Sequence, residues 1–151
     1  MNRRLSDSVV VFNLETHEFK ECAKLNEARM NSSSTIAGEI IYVFAGYNAG
    51  YLDTIEALDV SSASSKWDKF RSHNFTPRRE ALVCSLTAHR ILICGGDYSD
   101  PLNDVLVFDT KTKKTRKVAD SPMPFDNYGN NQAYIERDGV VLALAGSQNK
   151  G

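Results

Sequence analysis

Apolar residues in this chain come in short runs separated by polar turns. Ile40 to Gly46 reads "IIYVFAG", Ile91 to Gly96 reads "ILICGG" and Val140 to Gly146 reads "VVLALAG". Each run is apolar at successive positions and ends on glycine, the pattern of a strand buried on both faces. A second type of run follows the first two after a polar turn: "YLDTIEALD" from Tyr51 and "PLNDVLVFD" from Pro101. No segment keeps a helical period over ten residues, and β-branched and aromatic residues dominate the runs. The pattern predicts an all-β protein.

The runs recur at a fixed step. Gly46, Gly96 and Gly146 stand 50 residues apart, and so do Asp59 and Asp109. A further copy of the second run, "LSDSVVVFN", spans Leu5 to Asn13. Val9 matches Ile55 and Val105; Phe12 matches Leu58 and Phe108; Asn13 matches Asp59 and Asp109. Further on come Phe19, Trp67 and Thr115, the last a poor match because threonine cannot fill the volume of tryptophan. Each unit reads as four strands. The first is "SSSTIA", "ALVCSLT" or "NQAYIE", joined by a hairpin turn to the second, which ends on the glycine pair. The third is the "DTIEALD" type, and the fourth is "KWDKF" or "TRKV".

A step of about 50 with an apolar strand ending in Gly-Gly, an aromatic-Asp pair and a tryptophan resembles the kelch repeat. The full glycine pair is present at Gly95-Gly96, with Ala45-Gly46 and Ala145-Gly146 in its place elsewhere. The aromatic-Asp pair is clean at Phe108-Asp109, and the tryptophan is Trp67. The resemblance implies four-stranded antiparallel β-propeller blades in an incomplete ring. They divide into a half blade over 5–25 (third and fourth strands), blades over 31–70 and 80–118, and a half blade over 131–147 (first and second strands). It also puts the glycine pair at the end of the second strand, where a side chain would clash. Propellers close with four to eight blades, so about three leave open edges. The chain is then either part of a longer propeller or one of two copies that close a six-bladed ring.

Composition narrows the function. A formal net charge of -1 gives no argument for nucleic acid or an acidic membrane, and the apolar runs are too short to span a bilayer. The start "MNRRLSDSVVVF" is too short in its apolar part for a secretory signal, so a cytoplasmic location is expected. Three cysteines, Cys22, Cys84 and Cys94, fit neither a disulfide framework nor a zinc site. Cys84 and Cys94 read as small buried hydrophobes. No nucleophile elbow, P-loop, zinc-protease helix motif or dinucleotide fingerprint occurs. His17, His73 and His89 are scattered, so no catalytic residue, metal site or cofactor is expected. The basic run Lys111 to Lys117 reads as a solvated turn that discourages edge pairing.

The loops are the expected working surface. The resemblance implies a protein–protein interaction module that binds a partner protein or peptide through inter-blade loops and second-to-third-strand loops. The alternatives are a propeller enzyme of the sugar-epimerase or copper-oxidase kind, or a structural subunit of a larger assembly. The loops offer Arg29, Arg78, Arg79, Tyr47, Tyr51, Tyr98, Asn127 and Tyr128. Arginine forks suit an acidic partner, and tyrosines add rigid contact area. The arginines after "EA" and "TP" could instead bond backbone carbonyls and support the sheet, and Tyr47 and Tyr51 could pack inward.

Overall fold

The computed structural model describes residues 5–62 and 66–118, together with the backbone of two later strands. The strands in chain order are β1 (Val10–Phe12), β2 (Phe19–Glu21), β3 (Ser33–Ala37), β4 (Ile40–Phe44), β5 (Thr54–Asp59), β6 (Asp68–Arg71), β7 (Leu82–Thr87), β8 (Arg90–Tyr98), β9 (Asp100–Asp109), β10 (Lys114–Lys117), β11 (Tyr134–Arg137) and β12 (Val140–Ala143). Among the described residues there is no helix. The strands form two four-stranded antiparallel sheets, β3-β4-β5-β6 and β7-β8-β9-β10, and two hairpins, β1-β2 and β11-β12. The architecture is all-β, and the described residues form no closed ring.

Alternation of side chains explains how the sheets stack. One face of β3–β6 presents Tyr42, Phe44, Ile55 and Phe70. It meets Val83, Ile91, Ile93, Leu106 and Phe108 from β7–β10, forming the main core. Phe108 sits among Tyr42, Phe44 and Phe70, with ring centroids 5.6–6.2 Å away, and its contacts with Tyr42 and Phe44 are edge-on. The opposite face of β3–β6 uses the residues of the other parity. Val43, Leu58 and Trp67 pack there against Val9, Cys22, Ala23 and Leu25 of the β1-β2 hairpin and its flank. The second strand β4 is therefore covered on both sides, as its unbroken apolar run requires. Cys84 and Cys94 lie in a third cluster with Leu82 on the far face of β7–β10. Burial pushes the Cys84 thiol up to about 11 and the Cys94 thiol to about 12, so both stay neutral and unreactive at ordinary pH.

The equivalence of units extends to hydrogen bonds. Asn13 Oδ1 accepts from the amides of Glu15 and Thr16, Asp59 Oδ1 from that of Ser61, and Asp109 Oδ1 from that of Thr112, at 2.7–3.0 Å. The asparagine or aspartate at the end of the third strand thus builds the turn into the fourth. The Ser61 hydroxyl and amide hold the Asp59 carboxyl below its usual range, and the Thr112 amide and hydroxyl do the same for Asp109. Trp67 Nε1 donates to Ala23 O of the preceding unit at 2.8 Å. Thr115 stands at the corresponding place, buried, with its hydroxyl 2.6 Å from the Ser72 hydroxyl. A short hydroxyl pair replaces the indole's link, which explains how so small a residue fits there.

One strand differs from the sequence expectation. The second strand of the 80–118 unit does not end on Gly95-Gly96. β8 bulges between Cys94 and Gly96 and runs on to Tyr98, pairing Gly96 with Leu102 and Asp97 with Pro101. The bulge lets the strand bend without ending. The glycines have separate tasks. Ala45 and Gly95 adopt φ of 54° and 59°, a left-handed region that alanine enters at a cost of roughly 1 kcal/mol. Gly46 and Gly96 adopt φ of 104° and 100°, outside that region. A Cβ on Gly46 would stand 2.8 Å from Met30 O, and one on Gly96 2.6 Å from Arg79 O. The crowding comes from the chain entering the same unit's first strand. Gly46→Ala or Gly96→Ala should each cost about 2–4 kcal/mol in denaturant unfolding, whereas Ala45→Gly should change stability by less than about 1 kcal/mol. Equal losses at all three positions would contradict this assignment.

Candidate functional site

The loops before β3 and β7 carry equivalent arginines. Arg29 Nη1 donates to Ala45 O at 2.7 Å and Nη2 to Glu56 Oε1 at 2.6 Å, while Nε reaches Glu27 O at 3.4 Å. Arg78 Nη1 donates to Gly95 O at 2.8 Å, its two terminal nitrogens grip Asp104 at 2.7 and 2.9 Å, and Nε reaches Thr76 O at 3.1 Å. In each case the guanidinium caps the carbonyl of the left-handed residue at the glycine corner. The next residue's carbonyl, Met30 O or Arg79 O, is the one that excludes a Cβ from the second glycine. A buried cation needs partners for its donors, and every nitrogen of both guanidinia has at least one. Both arginines are buried, Arg78 completely. The expectation that Arg29 and Arg78 offer open forks to a partner therefore does not fit their placement. Their forks hold backbone carbonyls, the role left open for the arginines after "EA" and "TP".

The carboxylates that complete these clamps were not singled out from the sequence. Glu56 is fully buried and accepts from Arg29, from the Asn26 amide and side chain at 2.7 and 2.9 Å, and from the Glu27 amide at 3.2 Å. A charged residue inside the apolar run "TIEALD" was the available signal, since a buried carboxylate demands a partner.

Arg79 is placed differently, with its side chain about one-third exposed. Its Nε donates to Asp97 Oδ2 at 2.7 Å, and the Tyr51 hydroxyl donates to the same oxygen at 3.0 Å. The guanidinium carbon lies 5.8 Å from the Tyr47 ring centroid and 5.5 Å from that of Tyr51. Tyr47 meets Tyr51 edge-on at 5.5 Å, and Tyr51 meets Tyr98 edge-on at 5.2 Å. Burial opposes the charge on Arg79, but the hydrogen bond and charge of Asp97 outweigh it and raise its pKa above the usual arginine value. The terminal nitrogens of Arg79 make no hydrogen bond among the described residues, and Tyr98 is 44% exposed. The structure thus gathers Tyr47 and Tyr51 from the β4-β5 loop, Tyr98 from the end of β8 and Arg79 from the loop between the two sheets. Asn127 and Tyr128 lie outside the described residues. Among the described residues no group of three or more histidine, cysteine, aspartate or glutamate side chains could hold a metal ion, and no helix is long and apolar enough to cross a membrane.

The segment that starts just before Arg29 and ends just after β6 is also the one that comparison picks out. Residues 28–73 match the family model of the kelch motif. The kelch match therefore takes in the arginine clamp, the glycine corner, all four strands of the β3–β6 sheet and Trp67. The β7–β10 sheet repeats the clamp and the corner, and a partial propeller fits both. At a coarse level the kelch motif points to a protein–protein interaction module. No curated protein matches the chain.

The two neighbouring arginines should separate in mutagenesis. Arg78→Met leaves Asp104 and Gly95 O without their donor and should cost about 3 kcal/mol, the low end for a broken buried pair because Asp104 is partly exposed. Arg78→Lys should recover part of that, since an ammonium cannot form the fork. Arg79→Met should cost less than about 1 kcal/mol. Urea unfolding monitored by Trp67 fluorescence checks the order, and an Arg79 variant as destabilised as the Arg78 variant would contradict it.

Proposed function

We propose that this chain is a protein-interaction module of partial-propeller form. It binds an acidic peptide or loop of a partner protein at the cluster formed by Arg79, Tyr47, Tyr51 and Tyr98. The units 5–25, 31–70, 80–118 and 131–147 serve as its successive blades. One observation carries the reading. Arg79 is fixed through Nε by Asp97 and flanked by two tyrosine rings, which leaves its terminal nitrogens free, among the described residues, for a carboxylate. A guanidinium held in this way loses little freedom on binding, and its planar fork matches a carboxylate bidentately. Tyr98 adds an exposed ring beside it, the kind of residue that dominates interface energetics. Arg29 and Arg78 support the surface from beneath and are not part of the contact.

The test is a peptide array carrying Glu- and Asp-rich sequences, each paired with its Gln and Asn counterpart. The acidic members should be retained in preference, and their binding should weaken with salt. Arg79→Ala and Tyr98→Ala should each lower the affinity of the best peptide about tenfold or more, as measured by calorimetry. Equal retention of acidic and amide peptides, or full affinity in the Arg79→Ala variant, would overturn the assignment.

A further inference from the structure

The two hairpins are complementary halves of the sheet that occurs twice in full. β1 pairs with β2 alone, and β12 with β11 alone, among the described residues. The registers identify which halves they are. Ala37 pairs with Ile40 in β3-β4, and Arg137 with Val140 in β11-β12, a shift of 100 residues. The turn built by Asn13 is the one built by Asp59, a shift of 46 residues. β11-β12 therefore corresponds to a first and second strand, and β1-β2 to a third and fourth.

Beside β1 lies an open apolar groove of about 310 Å³, walled by Val9, Val11, Ile41, Val43, Leu58 and Trp67. Val10, Val11 and Phe12 are 57%, 53% and 43% exposed. The backbone on this side is also open. Cys22 N donates to Val9 O and Asn13 N to Glu18 O, both at 2.9 Å. In an antiparallel ladder such bonds alternate, so the amides and carbonyls of Val10 and Phe12 point to the edge away from β2.

We propose that β12 of a second copy of this chain adds to the open edge of β1, so that two copies complete each other's half sheets around a twofold axis. The register follows from the complete sheets. Ile40 pairs with Asp59 and Tyr42 with Ala57 in β4-β5, and Arg90 with Asp109 and Leu92 with Val107 in β8-β9. Transferred by the same shifts, Val140 faces Asn13, Val141 faces Phe12, Leu142 faces Val11 and Ala143 faces Val10. The phase agrees as well. Val60 N donates to Glu39 O and Ala45 N to Thr54 O, which makes Tyr42 and Ala57 a non-hydrogen-bonded pair and assigns Leu142 and Val11 the same status. Val10 and Phe12 then bond to β12, as their open amides require. The described residues of each copy form two full sheets and two half sheets, and two copies joined in this way bring six sheets together, within the range at which propellers close. The contact is isologous: each chain gives β12 and receives at β1.

The Leu142 and Val11 positions fall within disulfide reach in this register. A Val11→Cys chain mixed with a Leu142→Cys chain should form a covalent heterodimer under mild oxidation, identified by mass spectrometry of the joined peptides. The unmodified chain should sediment at twice its 16.8 kDa mass. Val10→Pro removes an edge amide that β2 does not use, and it should sediment as a folded monomer. A monomeric unmodified chain would overturn the proposal. So would the absence of a Val11–Leu142 cross-link between the two mixed chains, or a Val10→Pro chain that remains dimeric.

Discussion

The structure depends on one corner, where the chain entering a sheet crosses the end of that sheet's second strand. A guanidinium there caps the carbonyl of the left-handed residue, and the carbonyl that follows the arginine presses against a position that can only be glycine. The two features cannot be separated. The close approach leaves no room for a Cβ, and the backbone turn it requires strands a carbonyl that burial would otherwise penalise. Arg29 with Gly46 and Arg78 with Gly96 solve this problem in the same way, one repeat apart.

That corner also positions the candidate site. With Arg78 locked inward, Arg79 is turned to the other side of the chain, where the Arg79 and Asp97 backbones exchange hydrogen bonds. Those bonds fix the Asp97 carboxylate at the point where Arg79 Nε and the Tyr51 hydroxyl converge on it. Tyr47, Tyr51 and Tyr98 then meet edge-on in succession, and Tyr47 and Tyr51 flank the Arg79 guanidinium. Every guanidinium nitrogen of the buried Arg78 is hydrogen-bonded beneath that surface, so adjacent residues of the same type take opposite roles.

Much of the fold was legible in the sequence because burial on both faces writes itself as unbroken apolar runs and a fixed step. Ala45 in place of the first glycine, and Thr115 in place of tryptophan, had physical answers that only the structure supplies: a tolerated left-handed conformation and a hydroxyl pair to Ser72. The site was less legible. Arg29, Arg78 and Arg79 look alike in a loop, and which of them points inward is decided by carboxylates far along the chain, Glu56 and Asp104. Sequence spacing does not encode that choice. Glu56 within an apolar strand was the nearest thing to a signal. The length of β8 was hidden for a related reason, since a bulge at Gly95 lets the strand continue where two glycines read as a stop.

Hydrogen exchange of individual amides in the Arg78→Lys variant tests the corner most directly. The account predicts that the Gly46, Arg79 and Asp97 amides, which bond across this corner, lose protection together, while β5 amides keep theirs. Protection at Gly46, Arg79 and Asp97 that is unchanged from the unmodified protein would contradict it.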